Sequence, residues 1–458
     1  MKSNYVCAGF ETLATILDNF LLNKSNRYDD HFTRDQISNF FAESCNMFLH
    51  SFGQNFSGKK KYDKHIENEA KLYRQCRDTG LFNDSEFIVD SGGFQASIGK
   101  LKKDETQALI DLYHQFLVQE KDVYDRAFVL DLPPGPGCEL FESFDQIYDK
   151  NLETYSMAAN LPQDVKDKMI YIHHFRTPKL WDIYTKIMRE NDMFKEFKHH
   201  GTGGIVANMA SDTQIPCIIY VIPMIPLINE ALKHGRDTLH FHILGGANFR
   251  DILFYELFRL HLLKKHAIEV EISYDSSGLF KGLMVGRYIS VLDDGVIRKL
   301  DLRTKKLNLR FLNGEKRIDR YKRALYELSE RYGFKDIRNI DIYNPDTGTF
   351  YDEMRVYSML HMLNQFADIQ TMAREKAESI YPLYEDGLIE EFIREVEMIT
   401  RNLNGGKISR KQRAKSVSIV KSLDMLTSLD ETFCKYIVDK VLSKDEFTDL
   451  EEKKILTF

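Results

Sequence analysis

Three aspartates in this chain each follow a short apolar, β-rich run. They are Asp90 in Asp90-Ser91-Gly92-Gly93-Phe94-Gln95, Asp131 just before Pro133-Pro134, and Asp275 in Asp275-Ser276-Ser277-Gly278. Carboxylates can serve as general acids, general bases or nucleophiles, and two of them across one cleft suffice for glycosyl chemistry. Other apolar runs also end on polar or glycine residues: His173-His174, Gly203-Gly204 and Gly245-Gly246. Each feature has a simpler alternative. Gly92-Gly93 could form only a tight turn, Asp131 could cap a helix, and a histidine pair at a strand end could be core packing. The hexapeptide at Asp90 is not a dinucleotide-binding fingerprint, because the third glycine and its spacing are missing.

Positioning these residues together requires a scaffold that brings many strand ends to one place. Strands are expected at 47–50, 86–89, 127–130, 169–173, 204–207, 238–244 and 267–274, with a weaker eighth at 340–343. Most are followed by a longer amphipathic segment, the alternation of a parallel α/β protein. In a TIM barrel the loops at the C-terminal ends of the strands converge on one mouth, so carboxylates just past three strands meet there. The expected architecture is an α/β TIM (β/α)8 barrel over 1–345. A β-hairpin insertion is expected within 283–311 around Asp294-Gly295, a pair suited to a type I′ turn. From 346 to 458 the chain reads as a helical region that includes the last barrel helix, with Met354, Tyr357, Met359 and Met362, then Phe392, Val396 and Ile399, at helical spacings. A break at 402–406 divides it in two.

The 458 residues are ample for a barrel of about 250 residues or more plus an appendage. A hydrophobic content of 43% with 29% charged residues falls in the ordinary globular range and excludes wholesale disorder. The longest apolar candidate, 215–227, is interrupted by Pro216, Pro223 and Pro226, so no membrane partner is expected and the chain reads as cytoplasmic. The six cysteines are far apart, without CxxC spacing, and read as reduced and structural. A net charge of −6 argues against indiscriminate coating of nucleic acid while allowing a local basic patch.

The segment Asp90–Gln95 resembles the signature of tRNA-guanine transglycosylases, and four later segments resemble that family in the same order. They are Asp131 at its strand end, Gly203-Gly204-Ile205, His242-Ile243-Leu244-Gly245, and Tyr274-Asp275-Ser276. Five ordered matches across roughly 190 residues argue against chance. The resemblance implies base exchange at a nucleotide C1′, with Asp275 as nucleophile and Asp90 as acid/base. It implies a base pocket made of Ser91, Phe94, Asp131, His174, Gly203, Gly204, Ile205, Leu244 and Gly245. Asp131, an acceptor-only carboxylate, would take the N1 and 2-amino donors of guanine, and Phe94 and Leu244 would sandwich the flat base. His174 stands where the family usually has a glutamine.

The family's zinc subdomain needs a CxCxxC cluster and a downstream histidine, and this chain has neither; Asn364 falls near the histidine position and His361 stands close by. No metal or other cofactor is therefore expected. With the zinc subdomain lost, the nearer resemblance is to the DpdA-type DNA-guanine transglycosylases of phages and bacteria. These insert 7-deazaguanines into DNA, which would make the partners DNA and a free 7-deazaguanine base, in host cytoplasm if phage-encoded. The alternative is the same chemistry on tRNA, or a non-catalytic nucleic-acid-binding subunit; a homodimer is left open. Backbone contacts would come from Arg303, Lys305 and Lys306 on the hairpin and from Lys407, Arg410, Lys411 and Arg413, whose plainer reading is a solvated face.

Overall fold

Short apolar runs alternate with amphipathic helices along the chain, and each strand must bury both faces, one inside a barrel and one beneath a helix. In the computed structural model eight parallel strands close into a barrel in chain order. They are β1 (Tyr5–Ala8), β2 (Met47–Ser51), β3 (Glu86–Asp90), β4 (Arg126–Phe128), β5 (Met169–His174), β6 (His199–Gly203), β7 (Thr238–Ile243) and β8 (Glu269–Asp275). The structure describes residues 4–442 except 10–12, 14–16, 18–30, 55, 57–61, 63, 98, 135–139, 142, 205–216, 277–287, 294–295, 302–314, 337, 339–342, 345–348 and 351.

The outer layer contains α1 (Arg34–Glu43), α2 (His65–Asp78), α3 (Lys103–Gln119), α4 (Phe144–Ala159), α5 (Pro178–Glu190), α6 (Met224–Lys233), α7 (Ile252–His266) and α8 (Asp352–Glu385). Several begin on residues that can accept from the exposed first-turn N–H groups: Thr33, Ser143 and Thr177 each cap the helix that follows. The main core lies between strands and helices, and a smaller one inside the barrel holds Val6, Met47, Leu49, Ile88, Phe128, Ile170 and Ile172.

Three strand expectations need correction. The first strand, Tyr5–Ala8, is absent from the expected set because a four-residue run carries little periodicity of its own. The sixth strand is His199–Gly203, and residues 205–207 of the expected 204–207 lie outside the described residues. His-His-Gly-Thr-Gly has few residues of high strand propensity, and pairing on both sides with β5 and β7 overrides that local preference. The eighth barrel strand is Glu269–Asp275. Residues 340–342 of the expected eighth strand lie outside the described residues, and Tyr343–Asn344 pairs antiparallel with Thr349–Phe350. The expected hairpin is present as β9 (Tyr288–Asp293) and β10 (Val296–Asp301), with Asp293 opposite Val296; Asp294 and Gly295 lie outside the described residues.

Beyond α8 come α9 (Ile389–Leu403), α10 (Arg410–Ser428) and α11 (Glu431–Val441). Helix α10 starts on a Ser409 capping box with Gln412 and runs alongside α7 in the same direction. Lys415 pairs with Asp251 at the start of α7, at 2.8 Å, while Thr427 meets His261 at 3.0 Å and His266 meets the Leu426 carbonyl at 2.6 Å. Helix α7 descends from the C-terminal end of β7, so the first turn of α10 stands on the mouth side of the barrel. Tyr220 donates to the same Asp251 carboxylate at 2.6 Å, and Asp251 is wholly buried.

Among the described residues no helix is long and apolar enough to cross a membrane. Cys7, Cys45, Cys76, Cys217 and Cys434 are all buried. Lys415→Met should destabilise the fold by about 3 kcal/mol, because it strands the Asp251 charge in the interior. A denaturation midpoint equal to that of the parent would show that α10 docks without the ion pair.

Candidate active site

The strand registers bring the three aspartates to one end of the barrel. Asp90 ends β3 beside Ser51 of β2, Asp275 ends β8 beside Val6 of β1, and Asp131 lies three residues past β4. Asp131 and Asp275 are both near enough for their charges to act on Asp90. Burial raises the Asp90 carboxyl most, while hydrogen bonding with Ser51 and Gly92 opposes the rise and the charges of Asp131 and Asp275 add to it. The outcome is about 6, against an ordinary 3.8. A carboxyl in that range can hold or release a proton near neutral pH.

The other two carboxylates have donors of their own. Asp131 is buried and bonded through Oδ2 to Nε2 of His174. Asp275 receives the backbone N–H of Gly245 on Oδ1 at 2.6 Å. His174 ends β5 directly opposite Gly203 of β6. A Cβ on Gly203 would fall 2.3 Å from the His174 ring, so glycine there leaves the imidazole room to reach Asp131. Strand alternation separates the histidine pair: His173 faces outward to the Thr185 hydroxyl at 2.9 Å, and burial pushes it down to about 3.

The Asp90 loop is held equally closely. A Cβ on Gly93 would fall 1.8 Å from the Asp131 carbonyl oxygen, and one on Gly92, at φ +84°, would fall 2.4 Å from the Gly53 Cα. Both are backbone atoms that cannot give way, so both positions require glycine. Ser91 is buried, and its Oγ accepts from the Gly93 N–H at 3.3 Å. Gly204 continues from β6 at φ +93°. Leu244 packs against the barrel interior, and its N–H donates to the Thr202 carbonyl at 3.0 Å.

Asp90, Ser91, Asp131, His174, Gly203, Gly204, Leu244, Gly245 and Asp275 therefore all occupy the strand ends of one mouth. Ile205 lies outside the described residues, as do the side chain of Phe94 and hairpin residues Arg303, Lys305 and Lys306. Lys407, Arg410, Lys411 and Arg413 are exposed around the first turn of α10, with Arg413 Nε 3.6 Å from Glu397. Lys415 of the same basic run is the buried partner of Asp251 and not part of a surface patch.

Sequence reasoning assigned no role to Ser51, which faces Asp90 across the β2–β3 register, or to His242 and Ser273, which face each other across β7–β8. The spacing of His240, His242 and Leu244 held the signal for His242, since alternate strand residues share a face. Ser51 carried no signal, because only pairing of β2 with β3 sets it beside Asp90.

Near the zinc-ligand position of the resembled family, Asn364 is buried and accepts from Tyr332 at 3.0 Å. His361 is buried beside Gln365 and pushed down to about 4. Their hydrogen-bond partners, Ser44, Tyr332 and Asp368 for Asn364 and Gln365 for His361, include no thiolate and no second imidazole, so this set does not fit a zinc ion. Among the described residues no group of three or more His, Cys, Asp or Glu could hold a metal ion. No protein-family model matches the chain, and neither does any curated protein or solved structure.

Because the folded state raises the Asp90 pKa, its contribution is complete below the ordinary value and is lost as pH rises through about 6. Asp90→Asn should therefore gain stability relative to the parent between about pH 4 and about pH 8, by about 2 kcal/mol. Denaturation midpoints at the two pH values measure the difference, and a constant difference would remove the pKa assignment.

Proposed function

We propose that this protein is a glycosyltransferase that exchanges guanine in DNA for a free 7-deazaguanine base through a covalent Asp275 glycosyl ester. The observation that carries the reading is the convergence of three carboxylates with three different environments: Asp275 steadied by a backbone N–H, Asp131 paired with His174, and Asp90 raised to about 6. Environments that push like groups apart assign them different roles.

In this reading one Asp275 oxygen attacks C1′ as the bond to guanine N9 breaks, and the bonding pair leaves with the base. Asp90 in its acid form gives the departing purine a proton. The incoming base loses its N9 proton to the Asp90 carboxylate and attacks C1′, and the ester bond breaks to restore the Asp275 carboxylate. Two displacements retain configuration. Asp131 is an acceptor, which suits the N1 and 2-amino donors shared by guanine and 7-deazaguanines. His174 has its Nε2 committed to Asp131, so Nδ1 is the ring atom left to meet a base.

A base must leave the duplex stack to reach this mouth, at a cost of a few kcal/mol that contacts to the backbone would offset. The exposed cations opening α10 stand on the mouth side and support that role for Lys407, Arg410, Lys411 and Arg413. Charge reversal at Lys411 and Arg413 should weaken DNA binding and lower the salt slope by about 1 to 2, because one or two phosphates would go without a neutralising cation. An unchanged slope would return these residues to a solvated face.

The deciding experiment measures labelled 7-deazaguanine entering duplex DNA and, separately, tRNA. Asp275→Ala should abolish incorporation, and Asp275→Asn should leave no covalent adduct. Label in tRNA alone would move the same chemistry to RNA, and incorporation by either variant at parental rates would remove the nucleophile.

A further inference from the structure

Most of the barrel interior is lined by aliphatic residues and Phe128, but the wall made by β6, β7 and β8 is polar. His242 and Ser273 are opposite each other in the β7–β8 register, one step below the mouth. His242 Nδ1 and His240 Nε2 both lie 2.9 Å from the single Ser273 hydroxyl. Above them His242 Nε2 stands 3.4 Å from Asp275 Oδ1, close but without hydrogen-bond geometry, and among the described residues this buried nitrogen has no hydrogen-bond partner. Below them the rings of His240 and His199 meet edge to face, with centroids 5.2 Å apart. His242 is completely buried, Ser273 nearly so, and His240 is 8% exposed.

Placing this many polar groups in a barrel core costs stability unless their bonding is complete, which makes packing alone a poor reason for them. Hydrogen-bond directions narrow their role. A serine hydroxyl donates once. If His242 carried its proton on Nδ1, its Nε2 lone pair would face the Asp275 carboxylate, an unfavourable contact. The carboxylate therefore selects the tautomer with the proton on Nε2. Nδ1 then accepts from the Ser273 hydroxyl, whose oxygen in turn accepts the Nε2–H of His240. Burial holds His240 far below the ordinary imidazole range and hence neutral, consistent with a single donor at Nε2. Every donor in the chain then points toward Asp275.

We infer that His242, oriented by Ser273 and His240, is a positioning residue for Asp275. It holds Oδ1 together with the Gly245 N–H and leaves Oδ2 as the attacking atom. The inference rests on reading Asp275 as the nucleophile. In the ester Oδ1 becomes the carbonyl oxygen and still faces both donors, so the same pair steadies the carboxylate charge that returns when the incoming base displaces Asp275.

Two substitutions separate this role from packing. Asparagine reaches the Nδ1 position of histidine and glutamine reaches the Nε2 position. His242→Asn keeps a group near Ser273 but removes the donor to Asp275, and should lower kcat on the order of 100-fold with KM for the base unchanged. His242→Gln restores that donor and should recover most of the rate. Equal rate reductions in the two variants, tracking their thermal midpoints, would reduce His242 to a packing residue.

A second readout needs no turnover. Nitrogen-15 spectra of the histidine rings, with His242 assigned through His242→Asn, should show its proton on Nε2 and a change in Asp275→Asn. A proton on Nδ1, or a resonance indifferent to Asp275→Asn, would overturn the inference. Agreement in the spectra without base exchange on DNA or tRNA would leave the positioning of Asp275 standing and remove the transglycosylase reading instead.

Discussion

Closure of the barrel through β1 is the constraint on which the rest of the molecule depends. Four residues, Tyr5–Ala8, pair with β2 on one side and β8 on the other, and the latter pairing sets Val6 opposite Asp275. Without that strand both β2 and β8 would present unpaired N–H and C=O groups, and the last strand would lose the neighbour that orients its end. Helix α8 locks the closure from outside. Phe366 stacks on Tyr5 with ring centroids 3.9 Å apart, and Gln370 accepts the Tyr274 hydroxyl at 2.5 Å. A long helix near the end of the chain thus secures the first strand and the strand that carries Asp275 together.

Closure crowds three negative charges into one mouth, and each is handled differently. Asp131 has an imidazole, while Asp275 has a backbone N–H with His242 behind it. Asp90 has the opposing pull of Ser51 and Gly92 against burial and two like charges, and burial carries it up to about 6. Differences of environment, not of residue type, therefore distinguish the three. The close approaches that produce those environments require residues without side chains, and Gly93 against the Asp131 carbonyl and Gly203 against the His174 ring are the two that shape the mouth most directly.

The C-terminal helices add an outer layer fastened at a few specific points. The Lys415–Asp251–Tyr220 cluster ties α10 to the loops leading into α7, and Arg189 with Asn229 binds Glu431 at the start of α11. The buried ion pair sets the height of α10 against the barrel. Its first turn consequently projects Arg410 and Lys411 on the mouth side, with Lys407 just before it.

Much of this was legible in the chain itself. Apolar runs ending on Asp90, His174, Gly245 and Asp275 follow from chain-local chemistry: strand-forming residues bury, and the polar residues that stop them sit at the ends. The hairpin at 288–301 and the break between α9 and α10 were local in the same sense. What depended on partners was not legible. Tyr5–Ala8 is a strand because β2 and β8 need an intervening one, and His199–Gly203 is a strand despite its composition because β5 and β7 flank it. The proton affinity of Asp90 and the donors around Asp275 belong to no segment. They arise from groups distant in sequence that meet only when the sheet closes, because electrostatic and hydrogen-bonding energies depend on separation in space.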